Sequence, residues 1–221
     1  MSHIDVPNVS SIPTPPRQSA ALFITLFFPL LAWVTFLARM WSRLRVTRCW
    51  ALDDWLMVPA ALCSVLMTPF FFLYIKLGYF GWRKEDVPAS FNPSAGLYFF
   101  YIAQIFYNPI LAFVKCSILV FILHIGRRRK GVPWMVYSVI TLTVLQALAV
   151  FLGVLLQCLP IAANWDSTLR PTAKCIDPSF HVTISSVTVL TDLMVLALPF
   201  YVFLGLQVGL IPSTTSKSPT P

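Results

Sequence analysis

Five long apolar stretches, separated by shorter polar segments, dominate the hydrophobic pattern of the chain. A membrane-spanning helix needs about 20 mostly apolar residues, and each stretch approaches or exceeds that length. None of them alternates polar and apolar residues as the strands of a membrane β-barrel do. The pattern therefore predicts an all-α, polytopic transmembrane helix bundle. Its five predicted spans are residues 19–37, 55–75, 96–125, 133–158 and 181–206.

Polar tails flank the predicted bundle. Residues 1–18 are rich in proline, and no small-residue cleavage pattern follows the first apolar stretch. We therefore expect a retained signal-anchor helix and not a cleaved signal peptide. Residues 207–221 form a second tail of Pro, Ser and Thr.

Composition agrees with a protein that lies in lipid. Hydrophobic residues make up 57% of the chain and charged residues 11%, against about 45–50% and 25% in soluble domains. The same numbers exclude a disordered chain, which needs low hydrophobicity. The net charge of +8 is typical of Lys and Arg in short cytosolic loops. We therefore expect membrane lipid as a partner, and no nucleic acid.

The basic residues also predict the orientation. Eight of them occupy two short loops on one side of the bundle, whereas six are spread over longer segments on the other side. The higher density of basic residues in the short loops predicts that these loops are cytosolic. The N-terminus is then outside and the C-terminus in the cytosol. Asn8 begins an Asn-Val-Ser glycosylation sequon, which is used only on the lumenal side. The eight loop residues are Arg39, Arg43, Arg45 and Arg48, and then Arg127, Arg128, Arg129 and Lys130.

Two of the five cysteines flank the loop between the fourth and fifth spans. Cys158 and Cys175 lie on the predicted outer side, where an oxidising compartment lets a disulfide persist. A disulfide would hold Trp165 over the mouth of the bundle. The alternative is two unrelated reduced cysteines. A metal site is not expected, because His181 is the loop's only nearby histidine.

Two charges lie inside predicted spans at nearly matching depth. Lys115 belongs to the third span and Asp192 to the fifth, and at about 1.5 Å per residue their depths differ by only about 5 Å. Charges in the hydrocarbon region usually face a partner or a cavity. We expect a direct or water-bridged ion pair, which either fixes helix packing or forms a proton or ligand site.

An aspartate pair begins the second span. Asp53 and Asp54 complement the positive end of a helix dipole, and one of them can cap free N–H groups. We expect a cap with a salt bridge to Arg45 or Arg48. The alternative is a cytosolic latch of functional importance.

Four stretches with distinctive residues follow one another along the chain. They are the arginine loop that leads into Leu52-Asp53-Asp54-Trp55; Lys115-Cys116-Ser117-Ile118-Leu119; Cys158-Leu159-Pro160-Ile161 with Trp165 and Lys174-Cys175-Ile176-Asp177; and Thr191-Asp192-Leu193 with Leu198-Pro199. In this order they resemble motifs of the fungal rhodopsin domain family, and the resemblance covers most of the chain, from residue 19 to residue 206.

The resemblance implies an integral membrane protein of a seven-helix family, some of whose members are regarded as candidate surface receptors. It implies receptor-like signalling at the plasma membrane, a cytosolic signalling partner and an unknown ligand. It does not imply retinal or another cofactor, because a retinal lysine would lie in a last helix, whereas Lys115 lies in the third. The chain is about two helices shorter than the family pattern, so we expect a truncated gene model or a shortened paralogue.

Other function classes remain as alternatives. A transporter, or a non-signalling membrane fragment, would fit the same composition, although no clear repeat relates the two halves of the chain. An enzyme is not expected, because no catalytic motif appears and the three histidines are isolated from one another.

Overall fold

The structure, a computed structural model, describes residues 13–47, 51–83, 85–88, 91–127, 131–166 and 168–209. Five helices dominate it, and each contains a segment long and apolar enough to cross a membrane. The predicted all-α bundle of five spans is thereby confirmed. The helices are α1 (Pro16–Ser42), α2 (Leu52–Leu77), α3 (Ser94–Gly126), α4 (Val132–Leu155) and α5 (Pro178–Gly209).

Proline both starts and interrupts these helices. Pro16 opens α1, where its fixed φ suits the first turn and its missing N–H costs no helical bond. Prolines inside the helices would break a soluble helix, but a bundle in lipid tolerates them because neighbouring groups satisfy the freed carbonyls. The interior prolines are Pro29, Pro59, Pro69, Pro109 and Pro199.

The first helix is longer at both ends than the predicted span 19–37. A π-helical segment, Arg43–Thr47, continues α1 without a break. Arg39 and Arg43, expected in a loop, therefore lie on helical backbone. Arginine is a good helix former, and its long side chain can carry the charge out to the headgroups.

The fourth helix is shorter than the predicted span 133–158. It ends at Leu155, and Cys158–Leu159 instead forms a strand, β1, that pairs antiparallel with β2 at Lys174–Cys175. Cys158 lies opposite Cys175 in this pairing. Pro160 disfavours helical backbone at Leu159, which agrees with the strand there, and α4 has already ended at Leu155. Two 3₁₀ turns, Ile161–Asn164 and Arg170–Thr172, lie between the strands.

Helix α3 is the centre of the bundle. It contacts α2, α4 and α5, and its packing against α2 is the most extensive. At one end Gly96 allows a close approach, because a Cβ there would lie 3.0 Å from the Cα of Gly78. At the other end Leu119, Val136 and Val202 bury the interface of α3, α4 and α5.

The outward faces of the helices are apolar. Large side chains such as Phe23, Leu30 and Phe200 are more than half exposed. Soluble monomers rarely expose contiguous apolar surface of this extent, whereas hydrocarbon covers it without cost. We call the end that holds Arg39, Arg43 and the start of α2 the arginine end. The opposite end, which holds β1 and β2, is the disulfide end.

Candidate functional site

A cleft of about 540 Å³ opens at the disulfide end. One side is formed by α3, and the other by the β1–β2 region and the first turns of α5. Its lining combines aromatic and aliphatic surface with hydrogen-bonding and charged groups. The residues that give this mixed character are Phe100, Tyr101, Gln104, Gln157, Arg170, Asp177 and His181.

A disulfide and an aromatic cluster hold the loop beside the cleft. Cys158 is bonded to Cys175, which confirms the predicted pairing. The ring of Trp165 lies 5.2 Å from that of Tyr98 and 5.9 Å from that of Tyr101. The Tyr101 hydroxyl also donates to the carbonyl of Leu155, 3.1 Å away. The loop is thus anchored over the first turns of α3, as the sequence predicts for Trp165.

Local polar contacts define the rest of this loop. Thr168 donates to Asp166 Oδ1 from its hydroxyl (2.6 Å) and from its backbone N–H (3.0 Å). These bonds, the hydroxyl bond first, hold the pKa of the Asp166 carboxyl below its usual range. Nearer the cleft, the Nε2 atoms of Gln157 and His181 lie 3.1 Å apart.

The two intramembrane charges lie together midway along the bundle. Lys115 Nζ is 2.8 Å from Asp192 Oδ1, and it also donates to Thr191 Oγ1 at 3.3 Å. The Lys115 side chain is 9% exposed and that of Asp192 is 44% exposed. The geometry is that of a direct ion pair between α3 and α5, with the cation on the inner side.

Two arginines and two aspartates form a cluster of ion pairs at the arginine end. Arg39 reaches Asp53 at 2.6 Å and Asp54 at 3.3 Å, and Arg43 reaches the same two carboxylates at 3.2 and 3.5 Å. Both aspartate side chains are at least 95% buried. Asp54 Oδ2 also accepts the backbone N–H of Ala51, 3.4 Å away, at the start of α2. We call these four side chains the Arg–Asp cluster.

The predicted arginine partners of this cluster need correction. Arg45 does not pair with either aspartate; its guanidinium lies 4.8 Å from the ring centroid of Trp41. The helix continues past Ser42, so Arg39 and Arg43, four residues apart, share the face toward α2. Arg45, only two residues after Arg43, lies on a different face of the helix.

Several predicted residues lie outside the part of the chain that the structure describes. These are Asn8, Arg48, Arg128, Arg129 and Lys130. Arg127 is described and lies directly after the last residue of α3.

The Arg–Asp cluster is joined to α3 by two contacts. Ser117 Oγ donates to the main-chain oxygen of Asp53 at 2.8 Å, and the Ser117 side chain is buried. The guanidinium of Arg39 lies 5.7 Å from the ring centroid of Phe121. Helix α3 therefore touches the cleft, the ion pair and the Arg–Asp cluster in turn.

The hydrophobic pattern of the sequence does not indicate one buried polar residue, Gln18. Gln18, assigned to the N-terminal tail, lies in the first turn of α1 and is fully buried. Its amide donates to the carbonyl of Ile75 at 2.8 Å and accepts from the Trp82 indole N–H at 3.2 Å. A lone glutamine beside prolines carries no periodic pattern, so only the tertiary contacts expose its role.

The described side chains of the cleft can contact an organic ligand through both polar and aromatic groups. Within the described ranges, no three His, Cys, Asp or Glu side chains are grouped so that they could hold a metal ion. The cleft instead presents amide, guanidinium, carboxylate and imidazole groups beside aromatic rings.

Comparison with protein families adds one match. The family model described as the fungal rhodopsin domain matches residues 38–212. The matched region holds the Arg–Asp cluster, the Lys115–Asp192 pair and the disulfide loop. No curated protein and no solved structure matches the chain.

Proposed function

The chain belongs to the fungal rhodopsin domain family, and from that premise we propose that it is a receptor-like protein of the plasma membrane. Its five apolar helices make it a multi-pass membrane protein in contact with lipid. The proposed receptor binds a small ligand in the cleft and signals through the arginine end. This proposal assigns the chain no enzymatic role.

The observation that carries the proposal is the path of α3. Tyr101 and Gln104 of this helix line the cleft, Lys115 forms the intramembrane ion pair, and Ser117 holds the backbone of Asp53. Pro109 lies between the cleft residues and Lys115 and removes one backbone hydrogen bond of α3, so it is a point about which the helix can bend. A ligand that bends α3 at this point would change the packing of the Arg–Asp cluster.

Charge and redox chemistry support the proposed orientation. Arginines concentrate at the arginine end, which supports a cytosolic location for that end. The Cys158–Cys175 bond lies at the opposite end, and disulfides persist in oxidising, extracytosolic compartments. Both features support a cleft that opens to the outside.

The cleft favours a small amphipathic ligand. Its volume of about 540 Å³ falls within the roughly 300–1,000 Å³ typical of small-molecule pockets. Phe100 and Tyr101 offer apolar surface, while Gln104 and Arg170 offer hydrogen-bond donors. The arginine end, in turn, suits anionic lipid headgroups or an acidic surface on a cytosolic signalling protein.

A ligand screen tests the proposal. The full chain in lipid nanodiscs would be screened by thermal shift against a library of amphipathic organic acids, bases and zwitterions. We expect stabilising compounds whose effect is lost in Gln104→Leu, which alters the cleft, and kept in Leu148→Ala, which faces lipid. Stabilisation that survives Gln104→Leu would place the binding elsewhere.

A transporter is the second candidate, favoured by the Lys115–Asp192 pair inside the predicted spans. Ionisable groups at mid-membrane often mark substrate or proton pathways. Substrate or proton flux into proteoliposomes that is lost in Asp192→Asn would support a transporter. Binding of a cytosolic signalling protein that is lost when residues 127–130 are neutralised, with expression intact, would support the receptor.

A further inference from the structure

A second cleft, of about 480 Å³, opens at the disulfide end beside the first turn of α1. It is separate from the cleft of the candidate site, because no described residue lines both. One wall is the start of α1, and the other is the segment that follows α2. Its charged lining residues are Arg17, Arg83 and Asp86. We call it the α1 cleft.

Contacts between α1 and the segment after α2 hold the two walls of the α1 cleft together. The buried side chain of Gln18 donates to the carbonyl of Ile75 at 2.8 Å and accepts from the indole N–H of Trp82 at 3.2 Å. Gly81 has a φ of +88°, and a Cβ there would lie 3.2 Å from the backbone nitrogen of Gln18, so glycine permits this close approach. Each arginine of the cleft directly adjoins one of these anchored residues in the chain. Their backbone positions are therefore fixed before any ligand binds.

The two arginines of the α1 cleft have no counter-charge of their own among the described residues. Both Arg17 and Arg83 are exposed, and neither forms an ion pair with a described carboxylate. Two like charges around one cleft repel each other, so an anion between them is favoured. Guanidinium groups bind phosphate through paired hydrogen bonds. Asp86, on the same cleft, offers carboxylate oxygens to a cation.

The position of the α1 cleft along the helices matches phospholipid headgroups. Arg17 lies two residues, or about 3 Å of helical rise, before the predicted span 19–37. Trp82 lines the cleft, and tryptophan is enriched where membrane meets water. Ile24 and Phe28 follow Arg17 by seven and eleven residues, so they share its face of α1, and both are more than half exposed. An acyl chain can lie along that face beneath a headgroup in the cleft.

We propose that the α1 cleft binds the headgroup of a phospholipid that carries both a phosphate and an ammonium group, as phosphatidylethanolamine does. The phosphate lies between the guanidinium groups of Arg17 and Arg83, and the ammonium group donates to the carboxylate of Asp86. The acyl chains lie along the exposed face of α1. The bound lipid thereby joins the start of α1 to the segment after α2 from the membrane side.

Native mass spectrometry of the full chain in detergent tests this site. The protein would be titrated with phosphatidylethanolamine, with phosphatidylglycerol, which lacks the ammonium group, and with glycerophosphoethanolamine, which lacks the acyl chains. We expect phosphatidylethanolamine to bind most tightly. Its dissociation constant should rise about tenfold in Arg17→Gln and in Arg83→Gln, because each loses a charge-assisted hydrogen bond. Asp86→Asn should weaken the binding of phosphatidylethanolamine but not that of phosphatidylglycerol.

Lys174→Gln is the matched control, because Lys174 is exposed at the same end and does not line the α1 cleft. Phosphatidylethanolamine binding that is the same in the arginine variants as in Lys174→Gln would overturn the proposal. Phosphatidylglycerol or glycerophosphoethanolamine bound as tightly as phosphatidylethanolamine would also overturn it, since the ammonium group or the acyl chains would then play no part. All four substituted side chains are exposed, so the variants should fold, and circular dichroism checks that they do.

Discussion

Lys115 of α3 and Asp192 of α5 form an ion pair at 2.8 Å in which the lysine is nine-tenths buried and the aspartate is nearly half exposed. Removing the aspartate therefore leaves a buried charge, whereas removing the lysine leaves a partly exposed one. Without Asp192, the Lys115 ammonium stays deep in the bundle, and its remaining hydrogen-bond partner among the described residues is the Thr191 hydroxyl. Removing one partner of a fully buried pair typically costs about 3–5 kcal/mol, and the exposure of Asp192 makes the cost smaller here.

The first prediction concerns this pair. Asp192→Asn should lower the free energy of unfolding by about 1–3 kcal/mol, because it leaves the buried Lys115 cation without its counter-charge. Adding Lys115→Met to it should recover part of that loss, with a coupling of about 0.5–3 kcal/mol. Unfolding of the four proteins in the same detergent, followed by circular dichroism, measures the cycle. A double variant that loses as much as the two single variants summed would rule out the pairing.

The second prediction concerns the Arg–Asp cluster. Arg39→Ala should destabilise the protein by about 1–3 kcal/mol, because Asp53 and Asp54 are buried acceptors that lose charged donors. Arg45→Ala is the matched control, since Arg45 contacts only the Trp41 ring among the described residues, and it should shift stability by less than about 1 kcal/mol. Thermal unfolding of both variants makes the comparison. Equal effects would mean that Arg39 and Arg45 have equivalent roles.

The ion pair and the Arg–Asp cluster show which contacts can be predicted from the sequence and which cannot. Lys115 and Asp192 could be matched by depth, because apolar runs fix where each span lies and helical rise is uniform. The partners of Asp53 could not be chosen correctly, because the choice depends on α1 continuing beyond residue 42. The apolar pattern of the first span ends before Arg39, whereas the helical backbone continues to Thr47.

The cleft was beyond sequence reasoning for a different reason. The loop that flanks it was predicted, with its disulfide and Trp165. Gln104 and Arg170, however, come together only through the turns between β1 and β2. Those turns depend on contacts between residues far apart in the chain, which leave no periodic pattern.

The third prediction concerns the disulfide. Its cysteines are separated by 17 residues, and cross-linking a loop of about that length stabilises a fold by roughly 3 kcal/mol by limiting the unfolded state. Cys158→Ser with Cys175→Ser should therefore lower the melting temperature, and the unmutated chain should show the same loss in reductant. Cys63→Ser, at a free cysteine within α2, is the control. A melting temperature unaffected by reductant would argue against a stabilising bond.

The fourth prediction concerns orientation. If the N-terminus is outside, Asn8 should be glycosylated in a eukaryotic host, and Asn8→Gln should remove a mass that an endoglycosidase also removes. Asn92 serves as an internal control, because Pro93 prevents its use as a sequon. An unmodified Asn8, together with glycosylation of a sequon introduced beside Arg127, would reverse the orientation.

The coupling of the two ends along α3 is the central claim, and a fluorescence measurement tests it most directly. Val46, exposed at the arginine end, would be changed to Cys and labelled with bimane, with Cys49, Cys63 and Cys116 changed to Ser. Trp41, on the same helix as the label, would be changed to Phe, and Trp55, exposed at the start of α2, would act as the quencher, so that emission reports movement of α1 against α2. Library compounds whose stabilising effect requires Gln104 should change this emission, and Ser117→Ala should weaken the change. Cleft-dependent binders that leave the emission unchanged would contradict the account.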